Sequence, residues 1–264
     1  MEPVYFIHIS DTHIGPTAEY ERHGRYSQPT TEQLLREINN LPHRPDFIIH
    51  TGDIVTDPDP VSYQRAAQLF AALDLPIYYV NGNHDRACDI RQYMHMPTCE
   101  WLSDDPDLLT YAFTVKGHRF VVVDGRAPDE IDPHGLVSAA QLEILRREVM
   151  RDDPSLTIFI HFPTWPLNSL WMDSRMLLIN GPAFHQTLLP ARDRLRGVFF
   201  GHIHQSIQTM RDGILYASAP SAFAQFTSWP RDLYVDIAPE PPGFNIVQLL
   251  PDQTLIRQYR FAQP

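Results

Sequence analysis

Eight side chains in this sequence are of types and at spacings that could bind and activate a substrate: Asp11, His13, Asp53, Asn83, His84, His161, His202 and His204. They arrive as Asp11-Thr12-His13, Gly52-Asp53, Gly82-Asn83-His84-Asp85, His161 and Gly201-His202-Ile203-His204. Oxygen and imidazole donors without a thiolate suit manganese, iron, cobalt or zinc better than magnesium or calcium, which prefer oxygen shells. The set is too large for one ion, because a closed structural zinc site uses four ligands. It suffices for two divalent ions with positions left open for water and substrate. Taken singly, the same residues have plainer readings. A histidine at a strand end is commonly packed or solvated, and a lone Asp11 or Asp53 fits a turn or a helix cap.

Position makes them one set. Each group follows an apolar run: Ile7-His8-Ile9-Ser10, Phe47-Ile48-Ile49-His50-Thr51, Pro76-Ile77-Tyr78-Tyr79-Val80, Thr157-Ile158-Phe159-Ile160 and Val198-Phe199-Phe200. Such runs read as buried strands. In an open α/β sheet, ligands bind beyond the carboxyl ends of parallel strands, so residues remote in sequence converge there. Gly82 is expected to supply a backbone conformation closed to other residues. His8 and His50 lie inside their runs and are expected to pack or to orient a ligand. His23, His43, His95, His118, His134 and His185 read as solvated or structural.

Between these runs, residues 15–29 read as a polar loop holding Tyr20, Arg22, His23, Arg25 and Tyr26. Thr30 and Gln33 have capping-box spacing ahead of a helix that ends before Pro42, and Asp59-Pro60 starts another with Tyr63, Ala66, Phe70 and Leu73 on one face. Residues 90–96 read as a short helix and 97–109 as irregular. A hairpin is expected at 111–115 and 119–124, turning at Lys116-Gly117, and Ser138 with Gln141 repeats the capping-box spacing. Residues 164–182, with Trp165, Leu167, Leu170, Trp171, Met172 and Leu177, fit a lid or substrate wall and plain packing equally. Strands are expected at 213–218, 233–237, 244–250 and 255–261. Helices early and strands late suit one partly parallel sheet plus a more antiparallel one, stacked with helices outside.

The five motifs together resemble the calcineurin-like metallophosphoesterases, in order and across most of the chain, and most of all the branch of class III cyclic nucleotide phosphodiesterases and glycerophosphodiesterases. The resemblance implies an α/β fold, a four-layer α/β/β/α sandwich of two stacked mixed sheets flanked by helices. It implies one ion held by Asp11, His13, Asp53 and His204 and a second held by Asp53, Asn83, His161 and His202, with Asp53 bridging. Asn83, His84 and His204 then face substrate, and Asp53 and His84 are the residues central to catalysis. The implied reaction is hydrolysis of small phosphodiesters, 3',5'-cyclic nucleotides such as cyclic AMP or glycerophosphodiesters, by a metal-bound hydroxide, with His84 assisting the leaving alkoxide. A phosphomonoesterase or nuclease of the same superfamily, or a non-catalytic scaffold on this fold, is the alternative. One departure stands out: that branch often carries His-His-Pro-Pro where this chain has His161-Phe162-Pro163-Thr164. The ligand histidine is kept, so the change concerns the pocket wall.

Composition bounds the reading. With 264 residues, 43% of them hydrophobic, the chain can bury a large core, and residues 1–264 are expected to form a single domain. A net charge of -11 disfavours long nucleic acid, while two divalent ions would still draw a small phosphate ester into an acidic protein. No signal segment or membrane span is visible, which places the chain in the cytoplasm as an expectation. Cys88 and Cys99 lack metal-site spacing and are expected to be free thiols. A homodimer is the assembly that the resemblance suggests.

Overall fold

The computed structural model describes residues 2–263. The amino-terminal half runs β1 (Val4–Ile9), a small hairpin of β2 (Glu21–Arg22) and β3 (Arg25–Tyr26), α1 (Ser27–Asn39), β4 (Phe47–His50), α2 (Pro60–Phe70), β5 (Ile77–Tyr79) and α3 (Ala87–Tyr93). Next come β6 (Glu100–Trp101), β7 (Tyr111–Val115), β8 (His118–Val122), α4 (Ala139–Val149), β9 (Leu156–Phe159), α5 (Leu170–Arg175), α6 (Gly181–Leu188) and β10 (Leu195–Phe200). The chain closes with β11 (Gln208–Arg211), β12 (Ile214–Ser218), β13 (Gly243–Leu249) and β14 (Thr254–Arg260). No helix among the described residues is long and apolar enough to cross a membrane.

Two mixed sheets result. One has the order β14-β13-β1-β4-β5, with β1, β4 and β5 parallel and β13 and β14 antiparallel to their neighbours. The other has the order β11-β12-β10-β9-β8-β7-β6, parallel from β12 to β8 and antiparallel at both margins. Period-two alternation sorts the second sheet's side chains into two cores. Phe120, Val122, Phe159 and Phe199 face the first sheet, while Val121, Val123, Ile158, Ile160, Val198 and Phe200 face Leu145 and Val149 of α4 and Phe184 and Leu188 of α6. On the first sheet, Phe6 meets Phe120, Phe159 and Phe199 edge-on across the interface, and His50 and Tyr79 face Phe70 of α2 on the opposite side. The layers are therefore helices, sheet, sheet, helices, as expected.

Local signals succeeded where only neighbours in sequence decide. Asp59 caps α2 by accepting from Val61 N at 2.9 Å and Ser62 N at 3.0 Å, and Ser138 and Gln141 form the full capping box of α4. The same spacing at Thr30 and Gln33 misled. The helix α1 already begins at Ser27, and Thr30 Oγ1 donates back to Tyr26 O at 3.0 Å inside its first turn. Pro29 causes no break there because a first-turn residue needs no intrahelical N–H partner. The polar loop 15–29 contains the β2–β3 hairpin, the helix expected at 90–96 is α3 and starts earlier, and 97–109 includes the edge strand β6. Residues 233–237 form no strand: one bridge joins Phe226 to Ile237, and Leu233, Tyr234 and Val235 are exposed. Leu233, Tyr234 and Val235 serve a cavity wall instead of a sheet. Cys88 and Cys99 are free.

Candidate metal centre

The carboxyl ends of β1, β4 and β5 in one sheet and of β9 and β10 in the other open onto one edge. Asp11 and His13 follow β1, Asp53 follows β4, Asn83 and His84 follow β5, His161 follows β9, and His202 and His204 follow β10. Backbone bonds tie adjacent turns: Asp11 N donates to Gly52 O, His13 N to Asp53 O and Gly201 N to His161 O, each at 3.0 Å. Further contacts cross between the sheets. His202 N donates to Asp11 Oδ2 at 3.1 Å, and His161 Nδ1 donates to Thr51 O at 2.6 Å, which turns His161 Nε2 toward the other donor residues.

The expected residues come together in two groups. Donor atoms of Asp11, His13, Asp53 and His204 lie within 4.8 Å of one another, as do those of Asp53, His161 and His202, so Asp53 belongs to both. Asn83 Oδ1, 3.3 Å from His161 Nε2, adds an amide oxygen to the second group. His84 stands at the margin: its N–H donates to Asp53 Oδ1 at 3.0 Å, and its Nδ1 donates to Thr56 O at 2.6 Å.

This assembly is bought with backbone strain. Asp11, His13, Asp53, His202 and His204 have φ of 57°, 46°, 55°, 69° and 50°. The left-handed region costs an ordinary residue roughly 1–2 kcal/mol, and such outliers gather where a site over-determines them. Gly52 shares it at φ 98°. Gly82, expected to do so, does not; it is required because a Cβ there would collide with the Asp53 carboxylate and backbone nitrogen.

Charge and burial set the protonation. Burial would raise the Asp53 carboxyl, but His161, His84 and His13 hold it well below the usual carboxylate range. Burial likewise opposes Asp11, and His204 and His161 outweigh it. His161 is pushed up to about 9: burial lowers it, and the Asp53 and Asp11 carboxylates more than compensate. His202 falls to about 3 through burial and the His161 charge, and burial with Arg22 keeps His13 well below its usual value. A divalent cation fits this set. Asp11 Oδ1 and His202 Nε2 are buried without a hydrogen-bond partner, and the Nε2 atoms of His13 and His204 converge to 3.0 Å.

Supporting groups hold the turns. His8 Nε2 pairs with Thr51 Oγ1 and His50 Nε2 with Thr12 Oγ1, both at 3.0 Å, so neither histidine joins the donor groups. Asp85 accepts from Ile54 N at 3.2 Å, Val55 N at 3.3 Å, Gly82 N at 3.1 Å and Tyr63 Oη at 3.3 Å. It thereby clamps the turn after β4 to the turn after β5, and burial together with the Asp53 charge pushes its carboxyl up to about 7. Asp85 stood in the motif without a role, because nothing local says where its oxygens point. Arg22, from the expected polar loop, reaches the same edge; only the hairpin's fold reveals it.

A cavity of about 430 Å³ lies above the donor groups, lined by His13, Asp53, Asn83, His84, His202 and His204 on its floor and by Trp171, Met176, Phe226, Leu233 and Tyr234 on its wall. Segment 164–182 does both things expected of it. Trp171 and Met176 line the cavity, while Met172 and Leu178 pack into the outer core.

The sequence model of the calcineurin-like phosphoesterases matches residues 4–206. The chain belongs to that family. Members of this phosphoesterase family use dinuclear metal centres, and the two groups sharing Asp53 are the corresponding candidates here. Among similar proteins is a 3',5'-cyclic adenosine monophosphate phosphodiesterase, CpdA, of Haemophilus influenzae, 23% identical over 98% of this chain and 90% of its own. The glycerophosphodiester phosphodiesterase GpdQ of Enterobacter lignolyticus is 28% identical over 88% of this chain and 83% of its own. A dimetal phosphatase from Danio rerio superposes with a TM-score of 0.65 at 17% identity, covering 97% of this chain and 99% of that one, which shows the shared calcineurin-like fold.

Proposed function

We propose that this phosphoesterase hydrolyses small phosphodiesters, with 3',5'-cyclic nucleotides such as cyclic AMP ahead of glycerophosphodiesters, and that residues 1–264 act as one domain. The observation that carries the reading is the Asp53 carboxylate shared between two buried donor groups under an open cavity. Asp11, His13, Asp53 and His204 would hold one divalent cation, and Asp53, Asn83, His161 and His202 the other. A pair of such cations supplies an activated water and neutralises charge on a phosphoryl group.

The chain's own residues do the rest. Asp53 is a carboxylate because only two equivalent oxygens serve both groups at once. Asn83 contributes a neutral amide, which leaves more positive charge facing the phosphate than a further carboxylate would. His84, held through Nδ1 by Thr56 O, lines the cavity, where its imidazole assists the leaving oxygen. The wall of Trp171, Met176, Phe226, Leu233 and Tyr234 supports a nucleobase over glycerol because it offers flat apolar surface, beside the polar Arg22, His23, Asp132 and Arg175 of the same cavity. The activities named for the CpdA and GpdQ relatives support the diester class.

The test loads the protein with manganese, iron, cobalt or zinc and compares cyclic AMP, glycerophosphodiesters and matched aromatic mono- and diesters. A strong diester preference led by cyclic AMP supports the reading. Monoester preference reverses it, and no hydrolysis of any activated ester with any of the four metals makes the chain a binding scaffold.

A further inference from the structure

Arg22 sits where no local signal would put it. The β2–β3 hairpin, turning through His23 and Gly24 at φ 53° and 72°, carries this side chain, together with the neighbouring His23, into the cavity lining. Its Nη1 donates to Thr56 Oγ1 at 2.8 Å and lies 3.4 Å from His13 Nδ1, while its Nη2 lies 3.2 Å from His84 Nε2. The guanidinium is thus wedged between a residue of the first donor group and the histidine at the cavity margin. Because His84 Nδ1 faces the Thr56 carbonyl, which can only accept, the network assigns its proton to Nδ1. The Nε2 lone pair therefore receives the Arg22 N–H.

Two features favour an anion beside Arg22. Among the described residues Arg22 makes no ion pair with a carboxylate, although arginine is the side chain whose planar fork best matches carboxylate or phosphate oxygens. It also stands beside groups that fit two divalent cations, so cation loading adds like-charge repulsion to a half-buried guanidinium. A phosphoryl group entering between them converts that repulsion into attraction on both sides. Thr56 and His84 hold the fork in place beforehand, so little side-chain freedom remains to be lost on binding.

We propose that Arg22 is a substrate-binding residue that donates to a phosphoryl oxygen of the bound ester, opposite the cations, with Thr56 and His84 as its positioning partners. This rests on the phosphoesterase reading of the same cavity. The increase of negative charge on the phosphoryl oxygens during attack makes the contact stronger in the transition state than in the bound substrate, so Arg22 contributes to turnover as well as to affinity.

The experiment compares cation-loaded wild type, Arg22→Met and Arg22→Lys. It measures bound metal, the dissociation constant of inorganic phosphate by calorimetry, and kcat and KM on an activated aryl phosphodiester. Arg22→Met should keep both metals and weaken phosphate by about tenfold to a hundredfold, the scale of one charge-assisted hydrogen bond. Its kcat/KM should fall at least as far. Arg22→Lys, with charge but no fork, should lie between the two. Unchanged phosphate affinity in metal-replete Arg22→Met overturns the proposal, and so does a loss that tracks departure of metal, which would make Arg22 a prop for His13. Failure of wild type on every ester would sink the hydrolytic reading instead, and the phosphate titration would still decide the role of Arg22.

Discussion

Between the sheets, Phe6 packs against Phe47, Phe120, Phe159 and Phe199 with ring centroids 5.0 to 6.1 Å apart, on regular extended strands. A few residues further along the same strands, Asp11, Asp53 and His202 adopt left-handed backbone and crowd carboxylates and imidazoles into a buried cluster. The interior satisfies every local preference at once: period-two apolar side chains, paired backbone, close-packed rings. The rim violates them, with strained φ, buried charge and unpartnered Asp11 Oδ1 and His202 Nε2. The contrast teaches that stability and chemistry are separable here, since the first region holds the sheets together whether or not the second is filled.

That separation is open to direct attack. The largest effect should come from Asp53→Asn, which keeps a residue that tolerates left-handed backbone yet removes the shared carboxylate. Turnover should drop to background and metal content fall by elemental analysis, while urea unfolding of the metal-free protein stays cooperative; a variant that unfolds would show the rim to be structural. Next, His84→Ala should retain both metals and lose about a hundredfold or more in kcat, the scale of a proton-transfer or phosphate-positioning group. Unchanged kcat in the metal-replete variant would remove His84 from the chemistry.

Interior changes should do the reverse. Phe6→Ala opens a cavity between the sheets and should cost about 3–5 kcal/mol in denaturant unfolding, with kcat of the surviving folded fraction near wild type. A smaller and subtler effect is electrostatic. His161, held up to about 9, carries a proton at neutral pH in the metal-free protein, and a cation must displace it. Metal affinity should therefore rise about tenfold per pH unit between roughly pH 6.5 and 8.5, and a flat profile would contradict the Asp53–His161 arrangement. The same shift means that the stability His161 gives the metal-free protein is complete below its unfolded value near 6.5 and is lost as pH rises through about 9. His202, pushed down to about 3, acts oppositely, and its contribution fades as pH falls from about 6.5 toward 3. Smallest of all, Ser138→Ala should cost about 1 kcal/mol through the α4 cap and leave kinetics untouched.

The identity of the donor residues was legible because each lies directly after an apolar run, and an apolar run announces both a strand and its end. Asp59 and Ser138 were legible as caps for a similar reason, since a cap binds N–H groups two or three residues away. Where the partner is distant, the pattern failed or was silent. Thr30 with Gln33 matched a cap and was none, since the helix had already begun at Ser27. Residues 233–237 read as a strand and became part of a cavity wall.

By itself, then, the sequence determined the five strand ends and the donor set, which follow from side-chain periodicity and from chemistry carried within a few residues, while the order of the layers rested on the family resemblance. Tertiary structure alone decided that Arg22 enters the cavity, that Asp85 clamps two turns and that five site residues take strained backbone. Those outcomes depend on which remote segments meet and in what orientation, and no spacing along the chain encodes that.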